Sequence, residues 1–199
     1  LSARNIDLKR QVKFKPRKVH KTQIKDRSVF IGRMFSDFQA LGLDHFAEMD
    51  TVHSSQDSKR VILTFFLTRE KLFLAFVMNR CTKGAVKLIF NRLEHQLGTY
   101  SSLYYCDPMR SGQKGGIEQA HTMLRMILPK KTSFEYLTQW DLKTIVDHIN
   151  STPRESLGGR TPYDVALENY GIDILKALQL RPIPPDEVNL TPKLICFNH

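Results

Sequence analysis

Glu118, Thr122 and Arg125 stand at i, i+4 and i+7 of a run, Gln113 to Arg125 (QKGGIEQAHTMLR), in which a glycine pair leads into helix-forming sequence. Gly115 and Gly116 admit backbone angles that other residues resist, and the residues from Ile117 to Leu128 favour a helix that Pro129 stops. A helix advances about 100° and ~1.5 Å per residue, so the three side chains share one face, with Arg125 about 10.5 Å beyond Glu118. One face therefore carries an acid near the helix start, followed by a base. An ordinary solvated helix face carries the same pattern.

Such a face acts only if other elements hold it in place. Phe46 to His53 (FAEMDTVH) reads as a short strand with Glu48 and Asp50 on one side. Val61 to Leu67 and Leu72 to Met78 are almost wholly apolar and flank the polar turn Thr68–Lys71, so they read as a buried hairpin. Thr82 as cap, the stripe Val86, Ile89, Phe90, Leu93 and Leu97, and Gly98 define a helix. Ser102 to Cys106 reads as a further strand before an Asp107-Pro108 turn. Thr138 with Asp141, and Thr161 followed by Pro162, open two more helices, the second ending near Gly171. Ile31, Phe35 and Phe38 are spaced to line one face of an earlier helix, and the prolines from Pro182 to Pro192 predict an extended tail. The result is an α/β layer architecture. The expected division is a basic arm and linker helix over 1–43, a core over 44–171, and a C-terminal helix and tail over 172–199.

With 199 residues, 41% hydrophobic and 25% charged, the chain suits one soluble domain with extensions. No apolar run approaches the ~18 residues of a membrane helix, and no signal-peptide pattern is present. Cys81, Cys106 and Cys196 form no C-x-x-C, and the histidines form no H-x₃₋₅-H arrangement, so the sequence carries no zinc or disulfide pattern. A reducing, cytoplasmic setting is expected, as is a longer parent protein, since the chain starts at Leu1. The net charge is +10, and Leu1 to Arg33 holds eleven basic residues against two acids. Lys13, Lys15, Arg17 and Lys18, interleaved with Phe14 and Pro16, form an arm of the kind that neutralises nucleic-acid phosphates. A solubilising tail has the same composition.

Met49-Asp50-Thr51-Val52, the strand pair after it, Tyr105-Cys106-Asp107-Pro108, QKGGIEQAH (Gln113 to His121), Leu128-Pro129-Lys130 and HINSTPRESLGGRTPYDVA (His148 to Ala166) occur in one order. Together they resemble bacterial insertion-sequence transposases of the IS-thirty type, within the DDE integrase-core superfamily. The resemblance implies an RNase H-like mixed sheet flanked by helices, and an enzyme that cuts and joins DNA at the ends of a mobile element. It implies that Asp50 is the first catalytic aspartate, Glu118 the catalytic glutamate, and Arg125 a basic residue able to meet a DNA phosphate. Lys114, exposed by the glycine turn, and Arg154 and Arg160 are further candidate DNA contacts. Two Mg²⁺ or Mn²⁺ ions, held by carboxylates including Asp50 and Glu118, would activate the nucleophile and stabilise the leaving oxygen. Transposon-end and target DNA, a dimer or larger synaptic complex, and an upstream helix-turn-helix region are implied with them.

The sequence departs from the family at its second aspartate, usually within Thr-Asp-Asn-Gly, because Leu97-Gly98-Thr99-Tyr100 runs straight into Ser101-Ser102-Leu103-Tyr104. Asp107 is no substitute, since its Asp-Pro setting is a turn signal. The expectation is an omitted internal strand and loop between about Tyr100 and Ser101, whose loss would expose sheet edges. The alternatives are a genuine deletion that leaves a non-catalytic DNA-binding remnant, and an RNase H-like nuclease of another kind. Gly112 stands where the family usually has tryptophan, and Gln119 and His121 where it has asparagines. Glu48 is expected to face solvent or a salt bridge, with a minor metal or DNA contact as the alternative, and His121 to be structural or exposed, with an approach to the phosphate as the alternative.

Overall fold

The computed structural model describes residues 31–55, 58–97, 104–107 and 111–195. The chain divides into two compact units, Leu1–Gly32 and Arg33–His199. Of the first, only Ile31 and Gly32 are described, in a turn. Lys13, Lys15, Arg17 and Lys18 of the arm, and the expected break between Tyr100 and Ser101, lie outside the described residues.

In the second unit, β1 (Ala47–His53), β2 (Val61–Leu67) and β3 (Leu72–Met78) form an antiparallel sheet in that order. The register sets Glu48 opposite Phe66, Asp50 opposite Thr64 and Val52 opposite Ile62, so these six share one face. Phe73, opposite Phe66, joins them, while Leu63, Phe65 and Phe76 point to the other face. Helices cover both faces. α3 (Gly115–Ile127) lies on the Asp50 face, where His121 Nε2 is 2.8 Å from Thr64 Oγ1. On the opposite face α2 (Lys83–Leu97) brings the Phe90 ring edge-on to Phe65 at 5.3 Å. Burial from both sides explains why β2 is apolar throughout apart from Thr64.

α4 (Gln139–Asn150) runs along the outer edge of β3. Asn150 Oδ1 accepts the Phe73 N–H at 2.9 Å and its Nδ2 donates to the Phe73 carbonyl at 2.8 Å. Near the other end of the strand, Gln139 accepts from Val77 N–H and donates to the Ala75 carbonyl. Two side-chain amides thus close an edge that would otherwise offer unpaired backbone groups. α4 and α5 (Pro162–Ala177) open with the expected Thr138–Asp141 and Thr161–Asp164 capping boxes. Within α5 the helix breaks at Gly171, where φ is 77°.

Two expectations change. Ile31, Phe35 and Phe38 do not share a helix: α1 spans only Phe35–Ala40, because Gly32 adopts φ +76° and Met34 is extended, bridging in parallel to Tyr105. Of the strand expected over Ser102 to Cys106, that bridge is the one pairing among the described residues, with 102 and 103 outside them. The tail follows its own domain. Buried side chains on and just after α4 hold it: Asp147 accepts the Arg181 N–H, Ser151 the Ile183 N–H, and His148 Nδ1 the Asn189 N–H at 3.1 Å. No described helix is long and apolar enough to cross a membrane.

His148 makes this docking pH-dependent. Burial holds its pKa below the ordinary value of 6.5, against the opposing pull of Asp147 and Glu187, and only the neutral ring can accept at Nδ1. Its contribution is complete above about pH 6.5 and is lost as pH falls towards the depressed folded value. The protection of the Asn189 amide, measured against its intrinsic exchange rate at each pH, is expected to fall as pH drops from 7 to 5.5, and His148→Gln should remove that dependence. His121, also depressed by burial, contributes to global stability with the same sign, so the Asn189 amide is the reporter that isolates His148.

Candidate active site

Three ties bind α3 to β1 and β2. At its start the Ile117 N–H donates to Glu48 Oε2 at 2.6 Å. In the middle, the Thr64 hydroxyl lies 3.0 Å from the Asp50 carbonyl and 2.8 Å from His121 Nε2. Towards its end Arg125 Nη2 donates to the His53 carbonyl at 3.2 Å and Nη1 to Leu128 at 3.4 Å. Residues 117, 121 and 125 recur every four positions and so form one stripe. Glu118, one residue round from it, is exposed.

Asp50 is half-buried, and its Oδ1 receives the Thr51 N–H at 2.9 Å and the Lys114 ammonium at 3.1 Å. The charges of Asp50 and Glu118 both act on His121, whose pKa is nevertheless pushed down, first by burial and then by Arg125 and Lys114. With the single Thr64 proton assigned to the Asp50 carbonyl, His121 is the Nε2–H tautomer that donates to Thr64. It is a structural link, half-buried, with its ring edge-on to Phe73. Cys106 sits by the same charges, and burial raises its thiol pKa. Asp107 and Gln113 bond reciprocally at 2.8 and 2.9 Å, bracing the turn that precedes α3.

The structure therefore brings Asp50, Lys114, Glu118 and Arg125 to one region of the β1–α3 pair, and directs the candidate arginines otherwise. Arg125 donates to carbonyls. Arg154 is half-buried against Met123 Sδ and the Ile149 carbonyl, with burial lowering its pKa. Arg160 is exposed and pairs with Glu168 at 2.6 Å.

Glu48 is the residue that the sequence misjudges. Its side chain is buried, 9% exposed, rather than solvent-facing, because its partner is a backbone N–H that a helix start leaves unbonded. The available signal was its parity with Asp50 opposite buried Phe66. Gly116 also has a different reason from the expected one. It lies inside the first turn of α3 and is absent from the positive-φ glycines; a Cβ there would be 2.5 Å from Phe66 Cε1 and 3.2 Å from Glu48 Oε2. Since the Phe66 ring is buried, Gly116→Ala is expected to destabilise the fold by about 1–3 kcal/mol through overpacking. Phe66→Leu in the same chain should recover part of that loss, and an unchanged urea midpoint in the single variant would refute the steric account.

Asp50 and Glu118 supply hard oxygen donors of the type that Mg²⁺ and Mn²⁺ take. Among the described residues no three His, Cys, Asp or Glu side chains are grouped to hold a metal ion, so the donor set fits such an ion in part.

Against curated proteins, the chain is 33% identical over 73 residues to the transposase InsI for insertion sequence element IS30A of Escherichia coli (strain K12). Part of this chain is similar to IS30-type transposases. The match covers 37% of this chain and 19% of that relative. The transposase for IS1086 of Cupriavidus metallidurans is 36% identical over 63 residues, covering 32% of this chain and 19% of the relative. That for IS4351 of Bacteroides fragilis is 34% identical over 59 residues, 30% of this chain and 18% of the relative. The matched segment thus spans about a fifth of the length of these transposases. No family model and no solved structure matches the chain.

Proposed function

We propose that the chain is the catalytic part of a DDE-type transposase that cleaves and joins DNA at the ends of an insertion sequence. The observation that supports the reading is α3 tied to β1 and β2 at three points, with the charges of Asp50 and Glu118 both acting on His121, in a chain part of which is similar to transposases. Asp50 and Glu118 would hold Mg²⁺ or Mn²⁺; the second aspartate usual in such enzymes has no counterpart in this sequence, which passes directly from Tyr100 to Ser101. Bound there, the cations supply activation of the attacking hydroxyl and stabilisation of the leaving oxygen. The chain's own part is positional. Lys114 neutralises Asp50 while its ammonium rests on Oδ1; once released from that carboxylate, it is free to pair with a DNA phosphate. His121 keeps the backbone of Asp50 fixed through Thr64.

An RNase H-like sheet suits the edges. α4 closes β3 with Asn150 and Gln139, whereas β1 pairs with β2 alone among the described residues. Further strands would then add beside β1 and so beside Asp50. On this reading residues 1–43 form the DNA-contacting arm and linker, 44–171 the catalytic core and 172–199 the docked tail. The assembly pairs two DNA ends as a dimer or larger complex in the bacterial cytoplasm.

The test is an assay of the full chain on 3′-labelled duplexes bearing the element's terminal repeats, with Mg²⁺ or Mn²⁺. Metal-dependent cleavage with labelled ends joined to target DNA is expected. Hydrolysis without joining would assign a nuclease, and binding without cleavage under either metal would assign a non-catalytic remnant.

A further inference from the structure

We infer that Glu48 is a positioning residue, the group that sets Glu118 against Asp50. The inference deepens the transposase reading and rests on it. Ile117 is fully buried, and its N–H belongs to the first turn of α3, where no carbonyl four residues back is available. Glu48 Oε2 is the acceptor it finds, at 2.6 Å, and an acid at that place also meets the positive end of the helix. The next residue is Glu118. On the other side, Glu48 precedes Asp50 by two residues on the same face of β1. One side chain therefore couples the strand register that places Asp50 to the helix turn that places Glu118.

The fit is close because the residue before Ile117 is a glycine. A Cβ at Gly116 would stand 3.2 Å from Glu48 Oε2 and closer still to Phe66. The other two ties, at His121 and Arg125, hold the helix one and two turns further on and leave its first turn to Glu48. With Oε2 bonded to the backbone, Glu48 acts through α3 rather than on a cation or DNA.

The experiment compares wild type, E48A and E48Q in the full chain by amide hydrogen exchange and by Mn²⁺ binding without DNA, followed by electron paramagnetic resonance. E48Q keeps an acceptor for Ile117 and E48A does not. Charge-assisted bonds of this kind carry about a tenfold effect or more. E48A is therefore expected to lose about tenfold or more in both Ile117 protection and Mn²⁺ affinity, with β2–β3 amides unchanged. E48Q, which keeps the acceptor and loses the charge, should fall between wild type and E48A in both. Unchanged protection and affinity in E48A overturn the inference. So does an E48Q that keeps Ile117 protected yet loses Mn²⁺ as fully as E48A, since Glu48 would then itself be a ligand. If wild type neither binds Mn²⁺ nor cleaves DNA, the transposase reading falls, and Ile117 exchange alone decides whether Glu48 fixes α3. Where E48A does not fold, E48D, one methylene short of Ile117, is read in its place with the same expected direction.

Discussion

Glu118→Gln is expected to lower metal-dependent cleavage of labelled DNA ends about 10³-fold. Metal coordination stabilises transition-state charge by several kcal/mol, and each ~1.36 kcal/mol is a factor of ten in rate. The amide keeps the shape of the side chain and removes the charge that, on the proposed reading, would hold a cation. Glu118 is exposed and next to, rather than within, the stripe that ties α3 to β1. Folding stability should therefore stay within about 0.5 kcal/mol of wild type. Asp50→Asn should lose activity on the same scale, and it would also leave Lys114 without its partner at 3.1 Å. Cleavage within about tenfold of wild type in either variant would show that the pair does not carry the chemistry.

Asn150→Ala should destabilise the fold more than any other single change discussed. The Asn150 side chain, 1% exposed, satisfies both backbone groups of Phe73, itself fully buried. Removing the amide leaves a buried N–H and a buried carbonyl unpaired, each costing about 1–3 kcal/mol, so a loss of about 2–6 kcal/mol is expected. Urea unfolding of the purified chain measures it directly. Gln139, which bonds the same strand edge from an exposed position, provides the control, because water can replace its bonds. If the two alanine variants lose equal stability, burial is not what makes Asn150 matter.

Much of the layer order was legible because the residues concerned answer to local rules. β2 and β3 match the expected spans residue for residue, since an apolar run with a polar turn at Thr68–Lys71 leaves few other pairings. The capping boxes at Thr138 and Thr161 are contacts between residues three apart, and both form. Asp50 and Glu118 stood out through the motifs that contain them. α1 was overestimated because Gly32 and extended Met34 interrupt a spacing that looked helical.

By itself the sequence determined a hairpin, a set of capped helices, a basic segment and a resemblance that singles out two carboxylates. Only the tertiary structure decided what the residues between them do. Glu48 and Ile117 are 69 positions apart, and His53 and Arg125 are 72 apart. Whether such residues meet depends on which face of β1 receives which helix, and no local periodicity encodes that. Burial follows from the same choice: covering the Asp50 face with α3 turns an acid expected in solvent into a helix anchor, and a glycine expected to bend the chain into one that makes room for Phe66.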